Sequence, residues 1–222
     1  MKKIAVLVGN CPGFVFNRML FAYMSQAQRL LYEHGLMPKD VDEIFVHGGL
    51  LMGPLTVADM NGLDVMAKVK EEQGWPLIEL EKELLSRKRY GRKTGAGFYR
   101  YDKENKKHCD VEVEQLIRKL SSKATPHTVL LNDGDVFEYL VYPLVNEAYN
   151  LLEEHMIADQ SLIDIMFILG FGWPVGTGGP LKWAEKRKTR MATMMKTWRM
   201  SVPDDLVFKP SKKLLSLEKP KL

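Results

Sequence analysis

The stretch NCPGFVFNRMLFAYM (residues 10–24) decides the fold of the N-terminal region, because it joins a Pro-Gly turn to the start of a long apolar helix. From Phe14 onward, apolar residues recur at intervals of three and four, which is the spacing of one face of an α-helix. The pattern predicts a helix of about five turns that stops at Gly35. Asn17 and Arg18 interrupt its apolar opening. On the pattern alone, these two polar residues fit either a solvated helix N-terminus or a functional site.

Further helical patterns follow along the chain. Residues 37–40 (MPKD) start a second helix, since proline suits a first turn and an acidic side chain complements the positive helix end; this helix ends at Gly48-Gly49. Gly53-Pro54 opens a third segment, and the spacing of apolar residues predicts helices over residues 75–88, 111–120 and 191–198. The charge run at residues 103–107 indicates a linker, and residues 203–222 form a basic tail with little reason to pack.

A short β-branched run, IAVLV (residues 4–8), precedes the first turn and is typical of a buried strand. No nearby segment of the chain predicts a partner for it. We therefore expect residues 1–9 to be the last strand of a sheet whose other strands are missing from this sequence.

The helical pattern of the N-terminal half occurs twice. Residues 142–185 (YPLVNEAYNLLEEHMIADQSLIDIMFILGFGWPVGTGGPLKWAE) match residues 21–59 (FAYMSQAQRLLYEHGLMPKDVDEIFVHGGLLMGPLTVAD) when a small gap and a short insertion before Gly179 are allowed. The matched features are the Glu-His pairs at 33–34 and 154–155, Asp42 with Asp164, and the Gly-Pro-Leu triplets at 53–55 and 179–181. Helical periodicity alone would match leucines but not these residues, so we predict an internal duplication.

The duplication predicts two helical subdomains related by an approximate two-fold axis, packed through residues 14–34 and 136–155 or their neighbours. Glu138-Tyr139 stand near the place where the first copy has Asn17-Arg18. The second copy is therefore expected to be catalytically silent and to serve packing.

Composition sets broad limits on function. The chain has 222 residues and a net charge of +4, enough length for one large or two modest domains and too mild a charge to argue for nucleic acid. No stretch approaches the roughly 20 apolar residues of a membrane span. The two cysteines, Cys11 and Cys109, have no metal-ligand spacing and fit a reducing intracellular compartment.

Other site chemistries find little support in the sequence. The glycine-rich segments at residues 95–100 and 176–180 lack the preceding strand that a dinucleotide fingerprint needs. No histidine belongs to a recognisable catalytic triad or metal set, and two of them fit helix C-termini, where an imidazole favours the local dipole. The histidines are His34, His47, His108, His127 and His155.

Three segments, NCPGFVFNRMLFAYM, MGPLTVADMNGLDV and RYGRKTGAGFYRYD, resemble in order the motifs of the C-terminal domain of the 3-hydroxyacyl-CoA dehydrogenases. These motifs are Gly-Phe-x-x-Asn-Arg before a long helix, a Gly-Pro block, and Gly-x-Lys-Thr-Gly-x-Gly-Phe/Trp-Tyr. The second copy, with GFGWPVGTGGPL, resembles the duplicated C-terminal domain of peroxisomal bifunctional enzymes and bacterial fatty-oxidation multienzymes.

The resemblance covers nearly the whole chain and implies an all-α fold: two related helical subdomains, similar to the C-terminal domain of 6-phosphogluconate dehydrogenase, preceded by the leftover strand. The implied domains are residues 1–9 as a remnant of an NAD-binding domain, 10–104 and 105–202 as two copies, and 203–222 as a basic tail.

The resemblance also implies that Asn17 is a catalytic residue that bonds the substrate oxygen near the family's catalytic histidine. An amide suits this task because it can donate to an alkoxide or carbonyl oxygen without carrying a charge. Arg18 is more simply an anchor of the helix. The NAD-binding domain and the His-Phe-x-x-Pro histidine of the family have no counterpart in this sequence, so NAD is expected in the complete enzyme and not on this chain alone.

The implied partners are an acyl-CoA substrate and the missing NAD-binding domain, with no nucleic acid, no membrane span and possible self-association through an apolar docking face near residues 4–16. The resemblance implies a peroxisomal location before a cytosolic or mitochondrial one; Pro220-Lys221-Leu222 is similar to a peroxisomal Ser-Lys-Leu signal except for its proline. The alternative function is a stand-alone, non-catalytic acyl-CoA-binding or assembly module. The third alternative is an interaction scaffold in which Asn17 has no functional role.

Overall fold

The structure is a computed structural model that describes residues 5–126, 130, 132–202 and 206–218. His127 and Pro220-Lys221-Leu222 lie outside the described residues. The fold of the described chain is all-α, as the sequence predicts, apart from a single two-stranded antiparallel sheet.

Eleven α-helices occur in the described residues: α1 (Phe14–His34), α2 (Pro38–His47), α3 (Pro54–Asn61), α4 (Leu63–Glu72), α5 (Glu79–Ser86), α6 (Val111–Ser121), α7 (Asp133–Glu153), α8 (Gln160–Met166), α9 (Pro180–Ala184), α10 (Lys188–Ser201) and α11 (Lys212–Glu218). A π-helical stretch, Phe167–Phe171, continues α8. The strands are β1 (Arg100–Tyr101) and β2 (Lys107–His108).

The chain divides into two compact units, and α1 contributes to both. Unit 1 comprises Met1–Tyr23, Gly49–Leu51 and Leu130–Leu222; unit 2 comprises Met24–Gly48 and Met52–Val129. Each unit has a buried apolar core, with Met19, Leu144 and Trp198 in unit 1 and Leu30, Phe45 and Leu84 in unit 2. The domain boundaries expected from the sequence stay predictions.

Proline and glycine set the helix starts and stops of unit 2 as the sequence predicts. Gly35 adopts a left-handed conformation directly after α1. Pro38 and Pro54 are the first residues of α2 and α3, where proline loses no hydrogen bond because the first turn of a helix has free N–H groups.

Two aspartates hold the following helix of their own unit in the same way. The carboxylate of Asp42 in α2 accepts hydrogen bonds from the backbone N–H of Leu55 (2.8 Å) and Thr56 (3.1 Å), at the start of α3. The carboxylate of Asp164 in α8 accepts from the N–H of Leu181 (2.8 Å) at the start of α9. In both places a negative charge meets the positive end of a helix and bonds its free donors.

Asp59 is the centre of the loop RYGRKTGAGFYRYD. Its carboxylate accepts hydrogen bonds from the N–H of Phe98 (2.8 Å), the N–H of Tyr99 (3.0 Å) and the hydroxyl of Tyr101 (3.1 Å). Burial raises the pKa of Asp59 to about 6 in spite of these donors. The glycines of this loop allow its backbone to pass directly over the carboxylate, so the motif organises unit 2.

Two sequence interpretations in unit 2 are wrong. The predicted helix at residues 75–88 forms only as α5, from Glu79, because the residue before Pro76 is driven away from helical geometry and Glu81 fixes the start by accepting from the N–H of Ile78. Residues 103–107 are not a linker. Residues 103–106 lie in the turn between β1 and β2, where the side chain of Asp102 accepts from the backbone N–H groups of Glu104 and Lys106, and Lys107 begins β2.

The prediction that residues 203–222 have little reason to pack is wrong for the described part of that segment. Phe208 is fully buried and contacts Tyr139 and Trp198, with ring centroids 5.1 and 5.6 Å away. The side chain of Asn146 on α7 donates to the carbonyl of Lys209 and accepts from the N–H of Ser211. The prediction rested on the basic composition of this segment and overlooked two apolar residues that are fully buried, Phe208 and Leu214.

The N-terminal run has no strand in its described part. Residues 5–10 have no regular secondary structure, and the N–H of Gly9 donates to the carbonyl of Met156 at 2.7 Å. Residues 1–4 lie outside the described part of the chain. That this run pairs in a sheet with another domain stays a prediction.

Replacement of Gly97 by alanine should destabilise the protein by about 3 kcal/mol. A Cβ at Gly97 would lie 2.0 Å from a carboxylate oxygen of Asp59 and 2.6 Å from the Cα of Gly91, so the backbone of the loop would have to move. Gly176→Ala is the matched control, because nothing lies within 4 Å of its Cβ position. Urea unfolding of both variants measures the difference, and equal stabilities would contradict the prediction.

Candidate functional site

Asn17 lies in the first turn of α1 with its side chain exposed. No described residue forms a hydrogen bond with its amide. Its neighbours Val15 and Met19 are fully buried, so the helix backbone at this point is fixed while the amide faces outward. A side chain in this state is available to a ligand.

The turn that leads into α1 has an uncommon backbone. Gly13 and Phe14 both have positive φ, at 76° and 49°, and the N–H of Phe14 donates to the carbonyl of Cys11 at 2.9 Å. A left-handed conformation costs about 1–2 kcal/mol for a residue with a Cβ, and such strain is common near functional sites. At Gly13 a Cβ would also meet the ring of Phe21 at 2.8 Å. The turn at Pro12-Gly13 therefore sets the direction of α1, and only glycine fits at position 13.

Arg18, the next residue, faces the protein. Its guanidinium donates to both carboxylate oxygens of Glu154, at 2.5 and 2.7 Å, and its Nε donates to Glu147. Glu147 lies in the C-terminal part of α7, and Glu154 directly follows the last residue of that helix. The bonds from Arg18 hold the pKa of Glu154 below its ordinary value, whereas burial raises the pKa of Glu147. The sequence expectation that Arg18 anchors the helix agrees with these contacts.

Several apolar side chains of unit 1 near this turn or near the N-terminus are exposed. The ring of Phe16 packs on Phe167, with centroids 5.1 Å apart, and passes within 3.7 Å of the Cβ position of Gly170. Phe14, at the start of α1, is 57 % exposed, and Leu169, in the π-helical stretch that contains Phe167, is 63 % exposed. Leu7, near the N-terminus, is 90 % exposed. π-Helical turns such as Phe167–Phe171 are frequent at functional sites.

The described histidines take positions expected of structural or solvated residues. His34 is in the last turn of α1, His47 is the exposed last residue of α2, and His155 follows the end of α7. His108 bonds Asp102 across the hairpin at 2.8 Å. None of these four is followed by the Phe-x-x-Pro motif.

The glycine-rich segments do not fit the pyrophosphate of a dinucleotide. A phosphate cradle needs open backbone N–H groups, but at Gly97 the N–H groups of the next two residues already bond Asp59. At Gly179 the Cβ position is only 2.4 Å from Asp164, whose carboxylate bonds the start of α9. The chain's own carboxylates occupy both places.

Neither a metal centre nor a membrane span is evident in the described part of the chain. No group of three His, Cys, Asp or Glu side chains there could hold an ion. No described helix is both long enough and apolar enough to cross a bilayer.

Comparison with known families decides the assignment of this region. Residues 13–101, from the strained turn through the Asp59-centred loop, match the model of the 3-hydroxyacyl-CoA dehydrogenase C-terminal domain. These residues belong to that family. The resemblance stated from the motifs is confirmed, and this dehydrogenase domain includes both Asn17 and Arg18.

Relatives extend the similarity beyond the matched domain. The dehydrogenase part of multifunctional enzyme 1 from C. elegans has a solved structure that is 46 % identical, with a TM-score of 0.80 over 97 % of this chain and 50 % of that chain. The human peroxisomal bifunctional enzyme is 35 % identical over 100 % of this chain and 34 % of its own length. The cucumber glyoxysomal multifunctional protein MFP-a is 36 % identical over 83 % of this chain and 27 % of its own length.

The chain thus spans about a third of the length of the curated relatives it matches. The solved 3-hydroxybutyryl-CoA dehydrogenase of Escherichia coli, at 18 % identity and a TM-score of 0.70, shows the same fold.

Sequence reasoning did not find the partners of Arg18. Glu147 lies within the apolar run LVYPLVNEAYNLL (residues 140–152), and a carboxylate in such a run is a signal that an internal partner is needed. The role of Asp59 was also missed, although Asp42 was noted.

Proposed function

We propose that this dehydrogenase domain contributes to the oxidation of 3-hydroxyacyl-CoA to 3-oxoacyl-CoA in fatty acid β-oxidation, within an NAD-dependent enzyme. The observation that carries the proposal is Asn17: an exposed amide without a described partner, on a rigid turn, at the asparagine of the family's Gly-Phe-x-x-Asn-Arg motif.

Asn17 would act through its amide Nδ2–H, which donates to the substrate's reacting oxygen. Donors that are already oriented stabilise developing charge without reorganisation during the reaction. A neutral amide does this without adding a charge that would perturb a neighbouring base. In this proposal the base and the hydride acceptor come from outside the described residues.

The exposed apolar side chains of Phe14, Leu169 and Leu7 support a second part of the proposal. Apolar surface of this kind is typical of a face that another domain or an apolar ligand covers. We propose that it borders the acyl-CoA cleft and receives an NAD-binding domain. The names of the relatives support a peroxisomal location.

Asn17→Ala, made in the complete polypeptide in which this sequence occurs, should lower kcat about 100-fold, because one oriented donor to the reacting oxygen is lost. The assay follows NADH formation from a 3-hydroxyacyl-CoA. Asn61→Ala is the matched control, since Asn61 is an exposed asparagine at the end of α3. A wild-type rate for Asn17→Ala would assign Asn17 to structure alone.

The purified 222-residue chain by itself should form no NADH from 3-hydroxyacyl-CoA, because the glycine segments that could hold a pyrophosphate are filled by Asp59 and Asp164. Calorimetric titration with a 3-oxoacyl-CoA separates the two functions left open by the sequence. Binding without turnover by the complete polypeptide as well as by the chain favours the non-catalytic acyl-CoA-binding module, and NADH formation by the chain alone would contradict the proposal.

We further propose that α7–α9 duplicate α1–α3. The support is the pair Asp42 and Asp164: each caps the helix that follows, and each lies against a glycine, Gly53 or Gly179, whose Cβ would come within 2.4 Å of it. In the position of Asn17 the second copy has Glu138, which Arg190 bonds through both oxygens.

Superposition of residues 14–64 on residues 136–185 in an experimental structure should align α1–α3 with α7–α9 and Asp42 with Asp164. The physical reason is that both aspartates must reach the first N–H groups of the next helix. Helices that fail to align would contradict the duplication.

A further inference from the structure

We propose that Arg18 is a positioning residue for the dehydrogenase reaction: its clamp on Glu147 and Glu154 fixes the direction in which Asn17 presents its amide. The inference rests on the proposed function of Asn17. It concerns a residue that touches neither the substrate nor the reacting atoms.

The buried side chain of Val15 holds the backbone of the first turn of α1, but nothing in the turn compensates its electrostatics. The turn has no acidic residue to complement the positive end of the helix. It begins at Phe14, whose left-handed backbone is unfavourable for a residue with a side chain. A helix start of this kind gains little stability from its own polar groups. Contacts made from outside the turn therefore help to keep the direction of Asn17 constant.

A cation is also misplaced near this helix end, since the helix dipole repels it. Arg18 is nevertheless there, and its three hydrogen bonds to two carboxylates explain why. A guanidinium that bonds one carboxylate with two N–H groups is held in a single plane and direction. The third bond, from Nε to Glu147, fixes its rotation.

The clamp reaches Asn17 through one peptide unit. Successive helical residues point about 100° apart, so when Arg18 is held against α7 the side chain of Asn17 faces solvent. Glu147 is itself held by the side chain of Asn150, at 2.8 Å, so the anchor is rigid on both sides. Supporting contacts of this type determine how precisely a catalytic group is placed.

The experiment is a double-mutant cycle on kcat in the complete polypeptide, with Asn17→Ala, Arg18→Gln and both together. Arg18→Gln should lower kcat about 10-fold with a smaller change in KM, because a small misplacement of a positioned group slows the reaction. In the Asn17→Ala background, Arg18→Gln should change kcat less than about twofold, since Arg18 then has no amide to position. Arg18→Lys should recover only part of the rate that Arg18→Gln loses. Lysine keeps the positive charge, but its ammonium cannot make the planar set of bonds of a guanidinium.

The matched control is Arg190→Gln. Arg190 forms a comparable two-oxygen ion pair with Glu138 in the same unit, at 2.8 and 2.9 Å, but has no neighbour proposed for catalysis. It should retain kcat within about twofold of wild type. If Arg18→Gln does not fold, Glu154→Gln takes its place, because Glu154 is exposed and its loss removes the two-oxygen partner of Arg18.

The outcomes separate the two proposals. Two results overturn the positioning role while Asn17→Ala stays slow and the function of Asn17 stands. In the first, adding Arg18→Gln to Asn17→Ala multiplies the loss of kcat. In the second, Arg18→Gln alone has the wild-type kcat. A wild-type rate for Asn17→Ala overturns the catalytic role of Asn17 and with it the positioning role of Arg18, whereas the absence of NADH formation by the unaltered complete polypeptide overturns the proposed function. A loss of kcat in Arg190→Gln equal to that in Arg18→Gln assigns the clamp to stability alone.

Discussion

A buried aspartate that bonds backbone N–H groups beside a glycine is the contact on which both units of this chain depend. Asp42 and Asp59 form it in unit 2, and Asp164 forms it in unit 1. A carboxylate can accept several hydrogen bonds and compensates the free donors of a helix start or a tight loop. Its glycine neighbour is needed because the backbone passes too close for any Cβ. The glycine-rich appearance of the chain therefore reflects internal carboxylate packing.

The charged side chains of the candidate site have a different role from these aspartates. The three buried aspartates hold backbone, whereas Arg18 holds a side-chain neighbour in place from the surface of α1. The guanidinium stands between two acids, so the clamp carries one more negative than positive charge when both glutamates are ionised. Burial moderates this by raising the pKa of Glu147, which makes the inner acid easier to protonate than the outer one. The clamp and the strained turn at Phe14 together define where Asn17 points.

Local sequence signals predicted the helix bounds well where proline or glycine marks the start or the end of a helix. Proline at the start of α2 and α3 and glycine after α1 gave correct bounds, because these residues act through their own backbone geometry. Errors occurred where a side-chain contact decided the outcome. The charge run became a hairpin turn because Asp102 accepts hydrogen bonds from the nearby backbone, and the basic C-terminal segment packed because Phe208 lies in an aromatic cluster with residues of α7 and α10.

The sequence by itself determined the all-α class, the long first helix, the family of residues 13–101 and the choice of Asn17 as the candidate residue, because motifs and periodicity are local properties of the chain. Tertiary structure alone decided what Arg18 and Asp59 bond. Arg18 lies 129 positions before Glu147 and 136 before Glu154, and Asp59 lies 39 before Phe98. Contacts over such separations depend on how helices pack, and no spacing within the sequence encodes them.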